Sequence, residues 1–160
     1  MAQFLTINDV NINKKRVLIR EDFNVPIADG VVQNDLRIRA ALPGIQQALR
    51  ANAQVILMSH LGRPEPGHWQ AEFSLQPIAA CLSEMLNENV KFIKQWPVDN
   101  LNVHDKIVLL ENVRFLPGET ENSPDLAKQM AALCDVFVMD AFGSAHRAHA
   151  STVGVAEFSA

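Results

Sequence analysis

Arg20, Asp22 and Asn24 follow a short apolar run, Val17-Leu18-Ile19, and set a cation, an anion and an amide at alternate positions. On extended backbone such residues point the same way, and Pro26 steers Val25 away from the α region. A trio of this kind can grip a small polar molecule that carries both hydroxyl and anionic groups. Further along, His60, Arg63, Arg114, His146 and Arg147 each fall within a few residues of the end of an apolar run. Guanidinium forks match phosphate and carboxylate oxygens with paired donors and stay charged at any working pH. The ligand these residues imply is a small phosphorylated acid. Any one arginine could instead pair with a surface carboxylate or lay its stem over the core. Their recurrence at the same end of successive runs favours a shared anion site.

The elements that must position these residues are legible in outline. Val17 to Ile19 is too short for a helix and β-branched at both ends, which predicts a buried strand. Further strands are predicted at Gln54 to Ser59, Val90 to Ile93, Ile107 to Leu110 and Val136 to Met139. Ala28-Asp29-Gly30 is turn chemistry. Asn34 or Asp35 is expected to cap a helix that carries Arg37, and Pro43 to begin its second segment. Ser74 is read as the cap of a helix running to about Leu86, and Ser123 as the start of one running to about Leu133. Short apolar strands separated by helix-length segments imply an α/β fold. Its core is a Rossmann-like parallel sheet with helices on both faces, in three α/β/α layers. Ligands of such sheets bind beyond the carboxyl ends of the strands. The basic residues all follow strands, so one edge of an otherwise acidic molecule should be basic.

Composition narrows the alternatives. A chain of 160 residues with 48% hydrophobic content is expected to form one domain, burying about 68–70% of its unfolded surface. The net charge of −4 and pI near 5.7 argue against a partner that is nucleic acid or anionic membrane. Met1-Ala2-Gln3-Phe4 lacks the features of a signal peptide, which makes cytoplasmic residence the expectation. Cys81 and Cys134 lie in helix-like patterns and read as reduced. A Walker loop and a Gly-x-Gly-x-x-Gly fingerprint are both missing. His146 and His149 share helical spacing, but Arg147 between them would oppose a metal, so no metal site is expected. Glu119-Thr120-Glu121-Asn122 reads as a solvated turn, His68 and His104 as exposed, and Trp69 and Trp96 as packing residues.

Arg16 to Pro26 resembles the signature of the phosphoglycerate kinase family. Ser59-His60-Leu61-Gly62-Arg63-Pro64, Leu110 to Phe115 and Asp140 to His149 resemble further blocks of that family in the same order. The similarity spans essentially the whole chain and is bacterial in style, but only with the family's N-terminal half. The resemblance implies that residues 1–160 form a phosphoglycerate-binding domain and that the C-terminal nucleotide-binding domain lies outside this sequence. It also implies reversible phosphoryl transfer between 1,3-bisphosphoglycerate and ADP, giving 3-phosphoglycerate and ATP in glycolysis. Mg-ATP or Mg-ADP would be bound mainly by the other domain. A monomeric enzyme that closes about a hinge is expected, with this half inactive alone.

Carried over by motif position, Asp22 and Asn24 meet the glycerate end of the substrate, and His60, Arg63, Arg114 and Arg147 surround the non-transferred phosphate. Phe23, Leu61 and Gly62 are further substrate-binding positions, and Arg37, also substrate-binding, is the catalytic arginine. Arg20 either contacts substrate or orients Asp22. His149 stands where the family does not require histidine, and Glu21 at a free position is expected to face away from Arg20 and Asp22. Two other readings remain: a stand-alone phosphorylated-acid binding module without catalysis, and, disfavoured by the missing glycine fingerprint, a dinucleotide-binding dehydrogenase domain.

Overall fold

The computed structural model describes residues 5–98 and 100–159, so the Met1 to Phe4 start read above and the final Ala160 lie outside the described residues. Five parallel strands build the main sheet: β1 (Arg16–Arg20), β4 (Gln54–Met58), β5 (Val90–Ile93), β6 (Ile107–Leu110) and β7 (Val136–Met139). Their order across the sheet is β5-β6-β4-β1-β7. Between β1 and the helix that follows it, β2 (Ile27–Ala28) and β3 (Val31–Val32) form a small hairpin. Its turn uses Asp29 and Gly30 at φ 51° and 74°, the two left-handed residues a tight hairpin needs.

Alternate strand residues feed two separate cores, as the period of a strand requires. Val17, Ile19, Val55, Leu57, Ile107 and Leu109 pack with the buried stripe Ile38, Ala41, Ile45 and Ala48 of helix α1 (Leu36–Arg50). Ile78, Ala79 and Leu82 of α2 (Gln76–Leu86) join the same layer. Leu18, Ile56, Met58, Val108 and Leu110 face the other way, onto Leu126, Ala127 and Met130 of α3 (Pro124–Ala131). Val155 of the short α4 (Val155–Phe158) completes that layer. The result is the three-layer α/β/α arrangement the apolar strands implied.

Several boundaries differ from expectation. Helix α1 is continuous through Pro43 and does not restart there. Pro43 lies on the exposed face, where the Arg39 carbonyl that loses its partner can be hydrated. Asn34 Oδ1, one residue before the cap position, accepts from the Leu36 amide at 3.0 Å, while the Asp35 carboxylate at that position makes no capping bond and pairs with the Arg39 guanidinium four residues on. Ser74 lies one residue before the α2 cap position, yet its hydroxyl accepts from the Gln76 amide at 3.2 Å. Helix α3 ends at Ala131, so Cys134 sits in the following loop. Both cysteines are free thiols, and burial pushes Cys134 up to about 11.

Candidate functional site

The connection leaving β4 runs through α2 on one face, while that leaving β6 runs through α3 on the other. These strands are neighbours, so their outgoing loops diverge, and the carboxyl ends between them are where a ligand crevice is expected in such a sheet. His60 and Arg63 follow β4 and Arg114 follows β6. The position that general topology assigns to a ligand is therefore where the basic residues stand.

Beside it, Asp22 and Asn24 leave the end of β1. Glu21, Phe23 and Val25 are buried while Asp22 and Asn24 stay half-exposed, so the alternation read from the sequence holds over this segment. Arg37 Nη1, at the start of α1, donates to Asp22 Oδ1 at 3.2 Å and to the Asn24 carbonyl at 2.8 Å. Asn24 Oδ1 accepts from the Gly62 amide at 3.0 Å, which ties the β1 loop to the β4 loop and leaves the carboxamide nitrogen outside that bond. The Phe23 amide donates to Ser59 Oγ at 2.9 Å, and its ring is fully buried. Phe23 can thus meet a ligand only through its backbone.

Asn112 joins β4 to β6. Its side chain accepts from the amides of Leu61 and Arg114 and donates to the carbonyls of Leu61 and Phe73. Glu111 beside it is 2% exposed and accepts from Trp69 Nε1, Ser74 Oγ, and the amides of Leu75 and Asn112. One carboxylate thereby ties down the 69–75 end of the β4–α2 loop. Trp69 is more than a packing residue: its indole N–H is in this set, and Lys94 Nζ sits 3.8 Å over its ring. Trp96 does pack, buried, with its N–H on the Glu111 carbonyl.

Arg20 keeps the alternation of its strand but not the exposure expected of it. Its side chain faces the α3 layer, as Leu18 does two residues earlier, and is 0% exposed there. Its Nε donates to Ser151 Oγ at 3.0 Å, Nη1 to the Glu21 carbonyl at 2.6 Å, and Nη2 meets His60 Nδ1 at 3.0 Å. Asp22 is paired with Arg37 instead, so Arg20 neither reaches a ligand nor orients Asp22 by an ion pair. Glu21 does face away, buried, and burial followed by its hydrogen bond with Asp140 raises it to about 10. Glu119 is a correction of another kind: it is 1% exposed rather than solvated. It accepts from the Ser151 amide at 2.9 Å, and burial raises its pKa against the opposing pull of Arg20 and Arg114.

Arg114 is buried, Arg63 and Arg147 are exposed, and the latter two lie close enough to depress Arg114 after burial has done so. Arg114 Nη2 lies 3.4 Å from His149 Nδ1, which brings into the cluster a histidine that the sequence had left out. His146 is exposed. Among the described residues no group of three His, Cys, Asp or Glu side chains could hold a metal ion. The sequence also missed Glu111, Asn112, Glu119 and Ser151. For the first two a signal exists, since Glu-Asn directly after an apolar strand places polar groups at a buried strand end.

Fold and site together define a three-layer α/β/α protein with basic residues gathered at the carboxyl edge of a parallel sheet, flanked by an Asp-Asn-Arg cluster. The chain belongs to the phosphoglycerate kinase family, whose profile matches residues 7–160. Phosphoglycerate kinases of Francisella tularensis subsp. novicida strain U112 and subsp. holarctica strain LVS are each 54% identical over 156 residues, covering 97% of this chain and 40% of theirs. The structure of phosphoglycerate kinase from Coxiella burnetii superposes with TM-score 0.93 at 52% identity, over 98% of this chain and 40% of that one. The enzyme from Pyrococcus horikoshii OT3 gives 0.83 at 28% identity, over 98% and 41%. The chain thus spans about two-fifths of the length of these relatives.

Proposed function

We propose that residues 1–160 are the single N-terminal, phosphoglycerate-binding domain of a glycolytic phosphoglycerate kinase, which transfers a phosphoryl group reversibly between 1,3-bisphosphoglycerate and ADP. The observation that carries this reading is the hydrogen-bonded chain Arg37–Asp22–Asn24–Gly62 standing beside His60 and Arg114. An arginine cluster binds any small anion; the adjoining Asp22 carboxylate, an acceptor only, is a partner that a hydroxyl can use and an anion without a proton to donate cannot. Asp22 and Asn24 take the glycerate end, with the backbone of Phe23, Leu61 and Gly62 lining it. His60, Arg63, Arg114 and Arg147 take the phosphate that stays behind. Arg37 is the catalytic residue that stabilises the transferring group, a role in which one arginine contributes on the order of 10³ or more in rate.

Mg-ATP or Mg-ADP is bound chiefly by a C-terminal domain, and catalysis follows hinge closure of the two domains in a cytoplasmic monomer. The relatives' greater length supports this division. The test is calorimetric titration of the 160-residue chain with 3-phosphoglycerate and, separately, with inorganic sulfate. The phosphoglycerate should bind more tightly, and Asp22→Ala should erase the difference. Equal affinity for the two anions in the unmodified chain points instead to a generic anion module. With 3-phosphoglycerate and Mg-ATP the chain alone should show no turnover.

A further inference from the structure

Arg20 is more completely held than any other cation near the crevice. All three of its guanidinium nitrogens have protein partners, and none of its surface reaches solvent. A guanidinium has no acceptor. Its Nη2, 3.0 Å from His60 Nδ1, therefore requires a lone pair on that nitrogen. An imidazolium would set two N–H groups against each other, and the Nδ1–H tautomer would do the same. Among the described residues His60 Nε2 has no protein partner, and His60 sits at the mouth of the crevice between β4 and β6.

We propose that Arg20 is a positioning residue that fixes His60 in its Nε2–H tautomer, so that the ring presents a neutral, directed donor to the ligand's phosphate oxygen. This rests on the phosphoglycerate-binding reading above. Ser151 Oγ and the Glu21 carbonyl aim the guanidinium, and Glu119 supplies the nearby negative charge that lets it stay buried. The charged groups around His60 agree in effect. Burial, then Arg20 and Arg114, with Arg147 adding and Asp22 opposing, hold its pKa down to about 3. A neutral donor suits this place because the arginines already supply the charge, and a further cation beside them would be repelled. The Arg114 Nη2 contact to His149 Nδ1, at 3.4 Å, repeats the device in looser form.

Long-range ¹H–¹⁵N spectra of the imidazole-labelled, ligand-free chain test this directly. His60 should show one tautomer, protonated at Nε2, unchanged from pH 5 to 8. A proton on Nδ1 or an imidazolium in that range overturns the proposal. In folded Arg20→Met the ring should populate both tautomers or titrate, and 3-phosphoglycerate affinity should fall about tenfold or more. An unchanged tautomer in that variant overturns it too. If Arg20→Met does not fold, scalar coupling across the hydrogen bond between Arg20 Nη2 and His60 Nδ1 in the unmodified chain decides, and its absence is fatal. Should the tautomer be as stated while 3-phosphoglycerate binds no better than sulfate, the substrate reading fails and the Arg20–His60 relation stands.

Discussion

Gly62 holds φ at +60°, and a Cβ added there would sit 2.6 Å from Phe73 Cε1. The Phe73 ring is half-buried and can give way, so the left-handed backbone sets most of the cost. Gly62→Ala should lower stability by about 1–2 kcal/mol in urea denaturation and, by shifting the Gly62 amide off Asn24 Oδ1, weaken phosphoglycerate binding. The Asp22–Arg37 pair behaves oppositely. It is substantially exposed, so Arg37→Ala should change stability by less than about 1 kcal/mol, measured in the same way. On the reading proposed above, its consequence is for catalysis. At this scale the sequence disclosed the half-exposed facing that Asp22 and Asn24 share, because the apolar Phe23 and Val25 alternate with them. Arg20 was misread because parity fixes only the face, and Ser151, 131 residues on, meets Arg20 on that face and helps bury it. Glu119 was misread because nothing local marks a carboxylate whose partner, the Ser151 amide, lies 32 residues away.

Strand positions were plain in the sequence, since each is a short continuous apolar run; helix ends were not. Ser123 caps α3 through the Leu126 amide as its type suggests, whereas α1 passes through Pro43 because only the packing shows which face meets water. What ties down residues 69–75 was less legible: Glu111 is marked as a polar residue just past a strand, but nothing in the sequence says that its partners are Trp69, Ser74 and Leu75. Glu111→Ala would leave the Leu75 and Asn112 amides and the Ser74 hydroxyl buried without that acceptor. Each such group costs about 1–3 kcal/mol, softened by relaxation. A loss of about 3 kcal/mol or more is expected in urea denaturation. Amide exchange should quicken first around residues 69–75, the loop that the carboxylate ties down.

Sheet order is a property of the whole molecule that apolar runs alone do not specify. The step from β4 past β6 to the edge strand β5 is chosen by helix packing, and it creates the divergence beneath His60 and Arg114. Burial at that edge also gives the molecule a characteristic pH response. His60 is held down to about 3 from 6.5, so below about pH 6.5 the unfolded chain binds the proton that the folded one refuses. Stability from this group falls as pH drops through that window. Glu21 is raised to about 10 from 4.5, so above about pH 4.5 the unfolded chain releases a proton that the folded one keeps. Stability from Glu21 falls as pH rises toward 10, and Glu119, also raised, adds to the same side. Each single proton gives a slope of at most about 1.4 kcal/mol per pH unit. The slopes of His60 and Glu21 oppose one another between about pH 4.5 and 6.5, predicting a stability plateau there and decline on both sides. Glu21→Gln, which keeps the side chain neutral, should flatten the alkaline limb and leave the acid limb in place when melting temperature is followed from pH 4 to 9. An alkaline limb unchanged in that variant would mean that Glu21 is ionised in the folded chain.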